Sequence, residues 1–336
     1  MPNAIRIRSP ATLDSLYADT VEPRPPGPGE VVVRMRASSL NFHDLVVVTG
    51  HLRAADGRIP MSDGAGEVLA VGGGVDDLQV GDRVLSTFFT DWPDGEPDLK
   101  GFSSVPGDGI DGYACEFATV AAGSLTRFPR AYSFEEAATL TCAGVTAWRA
   151  LMVEGRLKAG EVVLVQGSGG VSIFALQLAK SAGATVIATS SSDEKLERLR
   201  ALGADHLINY KRTSDWGAEA VRLSGQGGVD HVIEIGGAGT LPQSMQAVRQ
   251  GGHISLIGIL AGREGVIPTS LLMRKQARLQ GITVGSRRHQ LDLVRACEAT
   301  GIKPVIDRSF PLPQLADAFR YQQSGAHFGK ICVSIP

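Results

Sequence analysis

The chain has 336 residues, of which 43% are apolar and 20% are charged, and its formal net charge at pH 7 is −2. This length exceeds the commonest size of a single domain and predicts two domains with ordinary hydrophobic cores. We expect no nucleic-acid or membrane partner, because the sequence has no long basic run and no segment near the ~20 apolar residues of a membrane span.

The first third of the sequence predicts short strands separated by turns. The segment "GEVVVRMRASSL" alternates loosely between apolar and polar residues, and "GAGEVLAVGGGVDDLQVGDRVLSTFF" contains strand-like runs between glycine and aspartate clusters. Residues Thr90–Gly112 are a predicted loop, and a loop of this length is usually a functional lid or a poorly ordered connection. This region is therefore expected to be rich in β structure.

From about Glu161 the pattern changes to strands that alternate with helices. Val162–Gln166 is a continuous apolar run typical of a buried strand, and apolar residues at helical spacing follow it until Gly183. Five further strands are predicted, with helices between them, in the segments "ATVIAT", "HLINY", "VDHVIEIGG", "HISLIGIL" and "RLQGITVGS". Strands with helical crossovers predict an α/β fold with a doubly wound parallel sheet.

Glycines follow the first of these strands directly. In a dinucleotide-binding turn they allow a sharp bend, a close approach of backbone to the pyrophosphate and tight packing of the next helix, whose free N–H groups face the phosphates. The match is imperfect because Ser172 stands where the last glycine is usual. The alternative is an ordinary tight connection. The predicted phosphate-binding residues are Gly167, Ser168, Gly169, Gly170 and Val171.

The end of the second strand indicates which dinucleotide is bound. A site that prefers NAD carries an acidic residue there, about 20 residues after the glycines, to bind the ribose 2′-hydroxyl. This chain has Ser190 and Ser191 at that place, and Lys195 follows one helical turn later. Hydroxyls and an ammonium suit a 2′-phosphate, so NADP(H) is the predicted cofactor. Alternatively Ser191 caps the second helix together with Glu194, and the two roles are compatible.

Taken together, several segments resemble the medium-chain dehydrogenase/reductase superfamily in their sequence and in their order. They are "GPGEVVVRMRASSLNFHDLVVVTG", "DGAGEVLAVG", "VGDRV", "TAWRAL", "VQGSGGVSIFALQLAK", "LGADHLINY" and "GAHFGK". The resemblance covers nearly the whole chain. It implies a GroES-like, mostly-β catalytic domain formed by residues 1–125 and 288–336, and a Rossmann domain formed by residues 126–287.

The resemblance also raises the question of zinc. Zinc-dependent members carry a cysteine where this chain has Asn41 and a histidine where it has Ser62, and neither an amide nor a hydroxyl is a usual zinc ligand. Cys142 matches a third ligand position, but one thiolate cannot supply a site that needs three protein ligands, so a packing role is expected for it. The four cysteines also lack the paired spacing of a structural zinc site. No metal is therefore predicted.

The motif "LNF.D" is that of the zinc-independent quinone oxidoreductases, and it implies the catalytic candidates Asn41 and Asp44. A third candidate, His43, lies two residues after Asn41, where zinc enzymes carry the hydroxyl of their proton relay. By this resemblance the Asn41 amide faces the nicotinamide or the substrate oxygen. His43 is either a proton donor that titrates near neutrality or an ordinary loop histidine. Asp44 has an alternative role in holding its loop by backbone hydrogen bonds. The other expected cofactor contacts are Thr146, Tyr210, Gly236, Ile259 and Lys330.

The sequence as a whole predicts a cytoplasmic, NADPH-dependent oxidoreductase that acts on a small molecule without a metal. Reduction of a quinone or an α,β-unsaturated carbonyl is favoured, because charge then builds on a remote oxygen that an amide can stabilise. One alternative is a zinc-independent alcohol dehydrogenase or ketone reductase in which His43 supplies the proton. Another is a non-catalytic NADPH-binding protein. The resemblance also implies a homodimer that pairs the edge strand "RLQGITVGS".

Overall fold

The structure of the protein, a computed structural model, describes residues 3–97 and 103–336. Two compact units are present, one formed by Met1–Val145 with Gly285–Pro336 and the other by Thr146–Val284. Among the described residues, no helix has both the length and the apolar character needed to cross a membrane. Residue Phe102 of the predicted Thr90–Gly112 loop lies outside the described residues.

The described residues form fifteen strands, which in chain order are β1 Ala4–Ile7, β2 Leu16–Asp19, β3 Glu30–Ser39, β4 Ala65–Val71, β5 Arg83–Ser86, β6 Phe117–Ala121, β7 Leu125–Arg127, β8 Val162–Gln166, β9 Thr185–Ser190, β10 His206–Asn209, β11 Val229–Glu234, β12 Val248–Leu256, β13 Arg278–Gly281, β14 Ile306–Pro311 and β15 Lys330–Ser334.

The α-helices of the same residues are α1 Phe42–Val48, α2 Phe134–Ala138, α3 Val145–Trp148, α4 Gly170–Ser181, α5 Asp193–Ala201, α6 Trp216–Ser224, α7 Leu241–Ala247, α8 Thr269–Lys275, α9 Arg287–Thr300 and α10 Leu315–Gln323. Two π-helical turns, Leu140–Gly144 and Arg149–Glu154, flank α3.

The first unit is built on a seven-stranded sheet in the order β14-β15-β3-β4-β5-β7, and β6 also pairs with β3. The pairs are antiparallel except that of β14 with β15. Strand β3 alternates as expected for a sheet with a buried face, and Val31, Val33 and Met35 enter the core of this unit. The chain returns to this sheet at its C-terminal strands, so the unit is formed from both ends of the sequence.

The boundaries of the units differ from those expected. Residues 126–145 were assigned to the Rossmann domain, but the structure places them in the first unit. The reason is pairing: Leu125–Arg127 adds to the edge of the sheet at β5, and α2 packs on β3. The second boundary falls just before α9, at Gly285, rather than between residues 287 and 288.

The second unit contains a six-stranded, all-parallel sheet in the order β10-β9-β8-β11-β12-β13. Its central strands are buried on both faces, which explains the continuous apolar run Val162–Gln166. Strand β12 begins at Val248, earlier than the predicted strand "HISLIGIL", because Val248 pairs with Val229 of β11. The fourth predicted helix therefore ends at Ala247. Helix α8 was not predicted from the sequence.

The described part of the Thr90–Gly112 loop packs on the first unit. Gly107 has a positive φ of 85°, and a Cβ there would stand 2.7 Å from the Met61 nitrogen. Met61 itself has a positive φ of 83°, which a bulky residue adopts only when its surroundings hold it. The Tyr113 N–H donates to the Met61 carbonyl at 2.9 Å. The loop and the strained Met61 turn therefore fix each other next to Ser62.

Candidate functional site

Three strands of the first unit bring the catalytic candidates together. Strand β3 ends at Ser39, directly before Asn41, and β15 starts at Lys330 and pairs with it, Cys332 opposite Ser39. The Leu40 N–H donates to the Ile331 carbonyl at 2.9 Å and extends this pairing by one residue. Strand β4 follows immediately after Ser62 and Asp63. A buried polar cluster forms at this place, which we call the Asn41 cluster: Ser39, Asn41, Asp44, Ser62, Asp63 and Lys330.

Asp44 holds the backbone of this cluster. Its side chain is 1% exposed, and its two carboxylate oxygens accept the N–H groups of Asn41 at 2.9 Å and of Ser62 at 2.8 Å. Asn41 is the N-cap of α1, so the first of these bonds also closes the start of that helix. The geometry matches the alternative expected for Asp44, a loop-holding role, rather than a role in proton transfer.

We expect Asp44→Ala to lower the free energy of unfolding by about 2–5 kcal/mol, because it leaves two buried N–H groups without an acceptor. Denaturant unfolding of the purified variant measures this loss. Asp317→Ala, which removes only an exposed carboxylate paired with Arg320, is the control and should change stability by less than about 1 kcal/mol. Equal losses in the two variants would contradict the assignment.

The Asn41 side chain lies between a cation and a hydroxyl. Its Oδ1 accepts from the Lys330 Nζ at 2.6 Å, and its Nδ2 donates to the Ser62 Oγ at 3.4 Å. The residue is 8% exposed. Amide donors normally stand about 2.9–3.0 Å from their acceptors, so the Ser62 bond is long and the Asn41 N–H has room for a better acceptor.

Asp63 is the buried carboxylate that faces this cation. It is 0% exposed, its Oδ2 lies 3.6 Å from the Lys330 Nζ, and it accepts the Ser39 hydroxyl at 2.5 Å. Burial raises the pKa of Asp63 to about 6, although the Lys330 ammonium opposes this shift and Asp44 adds to it. The Asp63 carboxylate therefore balances the charge of the Lys330 ammonium.

His43 is held by a residue of the Thr90–Gly112 loop. Its Nε2 lies 3.3 Å from the Asp108 Oδ2, its Nδ1 lies 3.9 Å from the Asp44 Oδ1, and its ring contacts Phe88 edge-on at 5.2 Å. Burial opposes protonation, but the nearby carboxylates of Asp108 and Asp44 outweigh it and raise the pKa of His43 to about 9. With a pKa near 9 the ring does not titrate near neutrality, as one of the two interpretations of the sequence expects, and it is mostly protonated at pH 7.

The raised pKa makes stability depend on pH. Because His43 titrates near 6.5 when unfolded and near 9 when folded, it stabilises the fold fully below about pH 6.5 and loses this effect as pH rises through 9. We expect Asp108→Asn to be up to about 3 kcal/mol less stable than the parent at pH 6 and nearly equal to it at pH 10. Denaturant unfolding across this range tests the expectation, and a difference that does not change with pH would refute it.

The residues of the Asn41 cluster do not fit a catalytic zinc. Such a site uses three ligands drawn from thiolate, imidazole and carboxylate, whereas Asn41 offers an amide and Ser62 a hydroxyl. The Lys330 ammonium beside Asp63 would also repel a divalent cation. Cys142 is a half-buried cysteine. Within residues 3–97 and 103–336, no three His, Cys, Asp or Glu side chains are grouped so that they could hold a metal.

In the second unit, the expected cofactor contacts lie together at the carboxyl ends of the parallel strands. Each of five candidates follows or ends a different strand, which places all of them at the carboxyl ends of the strands, where nucleotides bind in such sheets. In sheet order these residues are Tyr210 after β10, Ser190 at the end of β9, Gly167 after β8, Gly236 after β11 and Ile259 after β12.

The glycine turn leaves open space at the start of α4. Gly167 has a positive φ of 70°, and its N–H donates to the Thr189 carbonyl at 2.8 Å. Gly169 is the N-cap of α4 and has no side chain to accept the helix's first N–H groups, and a Cβ there would meet no described atom within 4 Å. Ser172 is fully buried and its hydroxyl bonds the Gln166 carbonyl at 2.6 Å, so it replaces the last glycine without loosening the turn.

The end of β9 differs in one detail from the expectation. The N-cap of α5 is Ser192, whose Oγ accepts the Lys195 N–H at 3.3 Å, so Ser191 is not the cap. The misplaced cap follows from three successive serines, any of which could serve. Ser190 accepts the Ser192 N–H at 3.2 Å through its Oγ. Ser191 and Lys195, both half-buried, are the residues predicted to bind a 2′-phosphate.

A buried carboxylate fixes the turn that contains Gly236. Glu234 is 0% exposed, and its Oε1 accepts the N–H groups of Gly236 at 2.7 Å and of Gly237 at 3.0 Å, together with the Thr240 hydroxyl. Its Oε2 accepts the Gln166 Nε2 at 2.8 Å, which ties this turn to the strand before the glycine turn. Neither Glu234 nor Gln166 was identified from the sequence.

The other expected residues are divided between the units. Tyr210 and Ile259 are 42% and 39% exposed at the sheet edge, and Thr146 is buried within α3, between the two π-helical turns. The Lys330 ammonium lies in the Asn41 cluster, and its predicted contact with the cofactor stays a prediction. Asp108 was missed: it occupies an acidic turn, and no local pattern links it to His43, 65 residues away.

Comparisons with known proteins agree with this architecture. The alcohol dehydrogenase GroES-like domain family matches residues 27–130, and the zinc-binding dehydrogenase family matches residues 170–299. A zinc-type alcohol dehydrogenase-like protein of Schizosaccharomyces pombe is 45% identical over 332 residues, which cover 96% of each chain.

Solved structures are similar over almost the whole chain. A Sinorhizobium meliloti protein described as an alcohol dehydrogenase shares 41% identity and a TM-score of 0.90, with 99% of each chain covered. An NAD-dependent alcohol dehydrogenase shares 31% identity and a TM-score of 0.91, with both chains covered completely. The GroES-like and Rossmann assignments are therefore confirmed, and the chain belongs to the medium-chain dehydrogenase/reductase superfamily.

Proposed function

We propose that the protein is an NADPH-dependent oxidoreductase that reduces a quinone or an α,β-unsaturated carbonyl without a metal. One observation carries the proposal: an amide, held by the Lys330 ammonium, stands where zinc-dependent relatives have a thiolate ligand. The donor set does not suit zinc, yet it presents an N–H to an oxygen that gains negative charge.

The cofactor assignment rests on the edge of the parallel sheet. A nicotinamide cofactor supplies the hydride, and the α4 N-terminus with Gly167 and Gly169 offers N–H groups and space for its pyrophosphate. Among the relatives, one is named as NAD-dependent. The hydroxyl of Ser191 and the ammonium of Lys195 favour the 2′-phosphorylated form for this chain, because each can bond a phosphate oxygen.

The substrate class follows from what the Asn41 amide can do, since it donates a hydrogen bond but does not release a proton. When hydride is added to the β-carbon of an enone, charge moves to the carbonyl oxygen, where the Asn41 Nδ2 can donate a hydrogen bond. Solvent can then protonate the α-carbon. Direct reduction of an isolated carbonyl places the full charge on the oxygen and needs a proton at once. An amide can donate a hydrogen bond but cannot give up that proton, so conjugated substrates suit it better.

One observation favours ketone or alcohol chemistry as a second candidate. The His43 imidazolium, held by Asp108 at 3.3 Å, is an acid that could protonate an alkoxide. The two candidates predict different pH behaviour. Ketone reduction that depends on His43 should fall as pH rises through about 9, whereas enone reduction supported by Asn41 should not follow the pKa of this residue.

A turnover panel separates the candidates. NADPH oxidation is measured with a quinone, an enal and a ketone, and NADP⁺ reduction is measured with an alcohol. Each assay is run with and without a chelator, and bound zinc is quantified in the same preparation. We expect turnover of the quinone or enal alone, unaffected by the chelator. Ketone turnover lost in His43→Gln supports the second candidate. NADPH binding without any turnover supports a non-catalytic protein, and zinc required for activity overturns the metal-free assignment.

The assembly is part of the same proposal. Strand β13, Arg278–Gly281, is the edge of the parallel sheet, and its outer N–H and C=O groups can pair with a second copy around a two-fold axis. We expect a dimer in sedimentation experiments over the micromolar concentration range. Only monomer across the whole range would contradict this expectation.

A further inference from the structure

Lys330 is buried more deeply than a lysine normally is. Its side chain is 4% exposed, and its Nζ donates to the Leu40 carbonyl at 2.5 Å and to the Asn41 Oδ1 at 2.6 Å. The Asp63 Oδ2 lies 3.6 Å away. An ammonium has three hydrogens. Two are used by these bonds and the third faces Asp63, so Lys330 has no proton left to direct at a substrate.

These contacts determine which way the Asn41 amide points. An amide oxygen and nitrogen look alike in shape, and a side chain can be turned over without changing its volume. An ammonium can only donate, so the Asn41 atom at 2.6 Å must be the oxygen. The NH₂ group is thereby fixed on the other side, where its contact with the Ser62 Oγ is 3.4 Å long and where it also interacts with the Asp63 carboxylate.

We propose that Lys330 is the positioning residue that makes Asn41 a hydrogen-bond donor, because its ammonium binds the amide oxygen and so turns the NH₂ group away from itself. The orientation of the Asn41 amide follows from the contacts of Lys330 alone. The effect of this orientation on catalysis rests on the proposed function. Lys330 acts through Asn41 and does not touch the substrate.

Asp63 is the obvious competing explanation for the burial of Lys330. A buried ammonium needs a counter-charge, and a buried Asp63 needs one as well, so the pair could serve only to balance charge. This explanation predicts that removing both charges together has no further consequence. The positioning role predicts instead that Asn41 loses its fixed orientation even when the charges are balanced.

The test compares Lys330→Met, Asp63→Asn and the double variant Lys330→Met/Asp63→Asn. We expect Lys330→Met to be unstable, because it leaves Asp63 alone in the interior. The double variant should recover the parental melting temperature, yet its kcat should stay about 10- to 100-fold below that of Asp63→Asn, with the KM for NADPH unchanged. Lys303→Met, which removes an exposed ammonium paired with Glu136, should keep kcat within about twofold. A double variant that equals Asp63→Asn in kcat would overturn the proposal.

A second readout does not need turnover. In protein labelled with ¹⁵N-asparagine, the Asn41 side-chain NH₂ signal is identified by its loss in Asn41→Asp. We expect this signal to shift and its hydrogens to exchange faster in the double variant than in Asp63→Asn, because nothing then holds the amide oxygen. An unchanged signal would overturn the inference even if the parent has no reductase activity. Absence of NADPH turnover with the expected shift would refute the proposed function alone.

Discussion

Asn41→Asp is expected to lower kcat/KM for the enone or quinone by about 10²–10³-fold, the loss typical when one donor to a developing oxyanion is removed. The substitution keeps the size of the side chain and keeps an oxygen for the Lys330 ammonium to bond, which is now at 2.6 Å from Oδ1. It removes the NH₂ group and puts a negative charge where the substrate oxygen becomes negative. Steady-state kinetics with saturating NADPH measure the change.

The distribution of this loss between kcat and KM is informative. If the Asn41 N–H acts only when charge develops, kcat and kcat/KM fall together and KM for the substrate changes little. Asn41→Ala, which has neither donor nor charge, should lose less than Asn41→Asp. NADPH affinity, measured by ligand fluorescence, is the control and should stay constant. Retention of kcat/KM within about threefold in both variants would contradict a role for this amide.

Lys195→Glu should raise the KM for NADPH by about 10- to 100-fold and leave that for NADH within about threefold. A hydrogen bond to a charged group contributes roughly 1.5–3 kcal/mol, and this substitution both removes it and adds a charge that repels the 2′-phosphate. NADH lacks this phosphate. Kinetics with each cofactor at the same substrate concentration give the ratio.

A matched control lies on the same helix. Arg200→Glu makes the same change of charge in the last turn of α5, at an exposed side chain that pairs with Glu197. It should alter neither KM by more than about twofold. The preference for NADPH in the parent should also weaken as salt is added, because salt screens the attraction between the partly exposed Lys195 ammonium and the 2′-phosphate. If Lys195→Glu raised the KM for NADPH and the KM for NADH equally, Lys195 would not be the residue that binds the 2′-phosphate.

The parts of the fold that the sequence predicts well are those with a local period. Val162–Gln166 is a strand with the predicted bounds because a strand buried on both faces is a continuous apolar run. The common edge of the sheet then follows from topology, which brings Gly167, Ser190 and Gly236 to the same side although they are far apart in sequence.

The parts that escape the sequence depend on contacts between distant residues. Asn41 and Lys330 stand 289 positions apart, and a lysine in "FGK" shows no sign that it will be buried against an amide. Asp108 meets His43 only because Gly107 fits closely against Met61. Where neighbouring residues offer equivalent chemistry, as the serines before α5 do, local rules also fail to select one.

The return of the chain to its first sheet has a consequence for synthesis on the ribosome. The second unit is a continuous segment, Thr146–Val284, and can fold as soon as it leaves the exit tunnel. The first unit cannot fold completely at that stage. Strand β3 pairs with β15, and the Asn41 side chain bonds Lys330 at the start of β15, and both partners are synthesised last. Until that strand is synthesised, Asp63 lacks the cation that it faces in the folded unit, so the first unit completes its buried ion pair only at the end of translation.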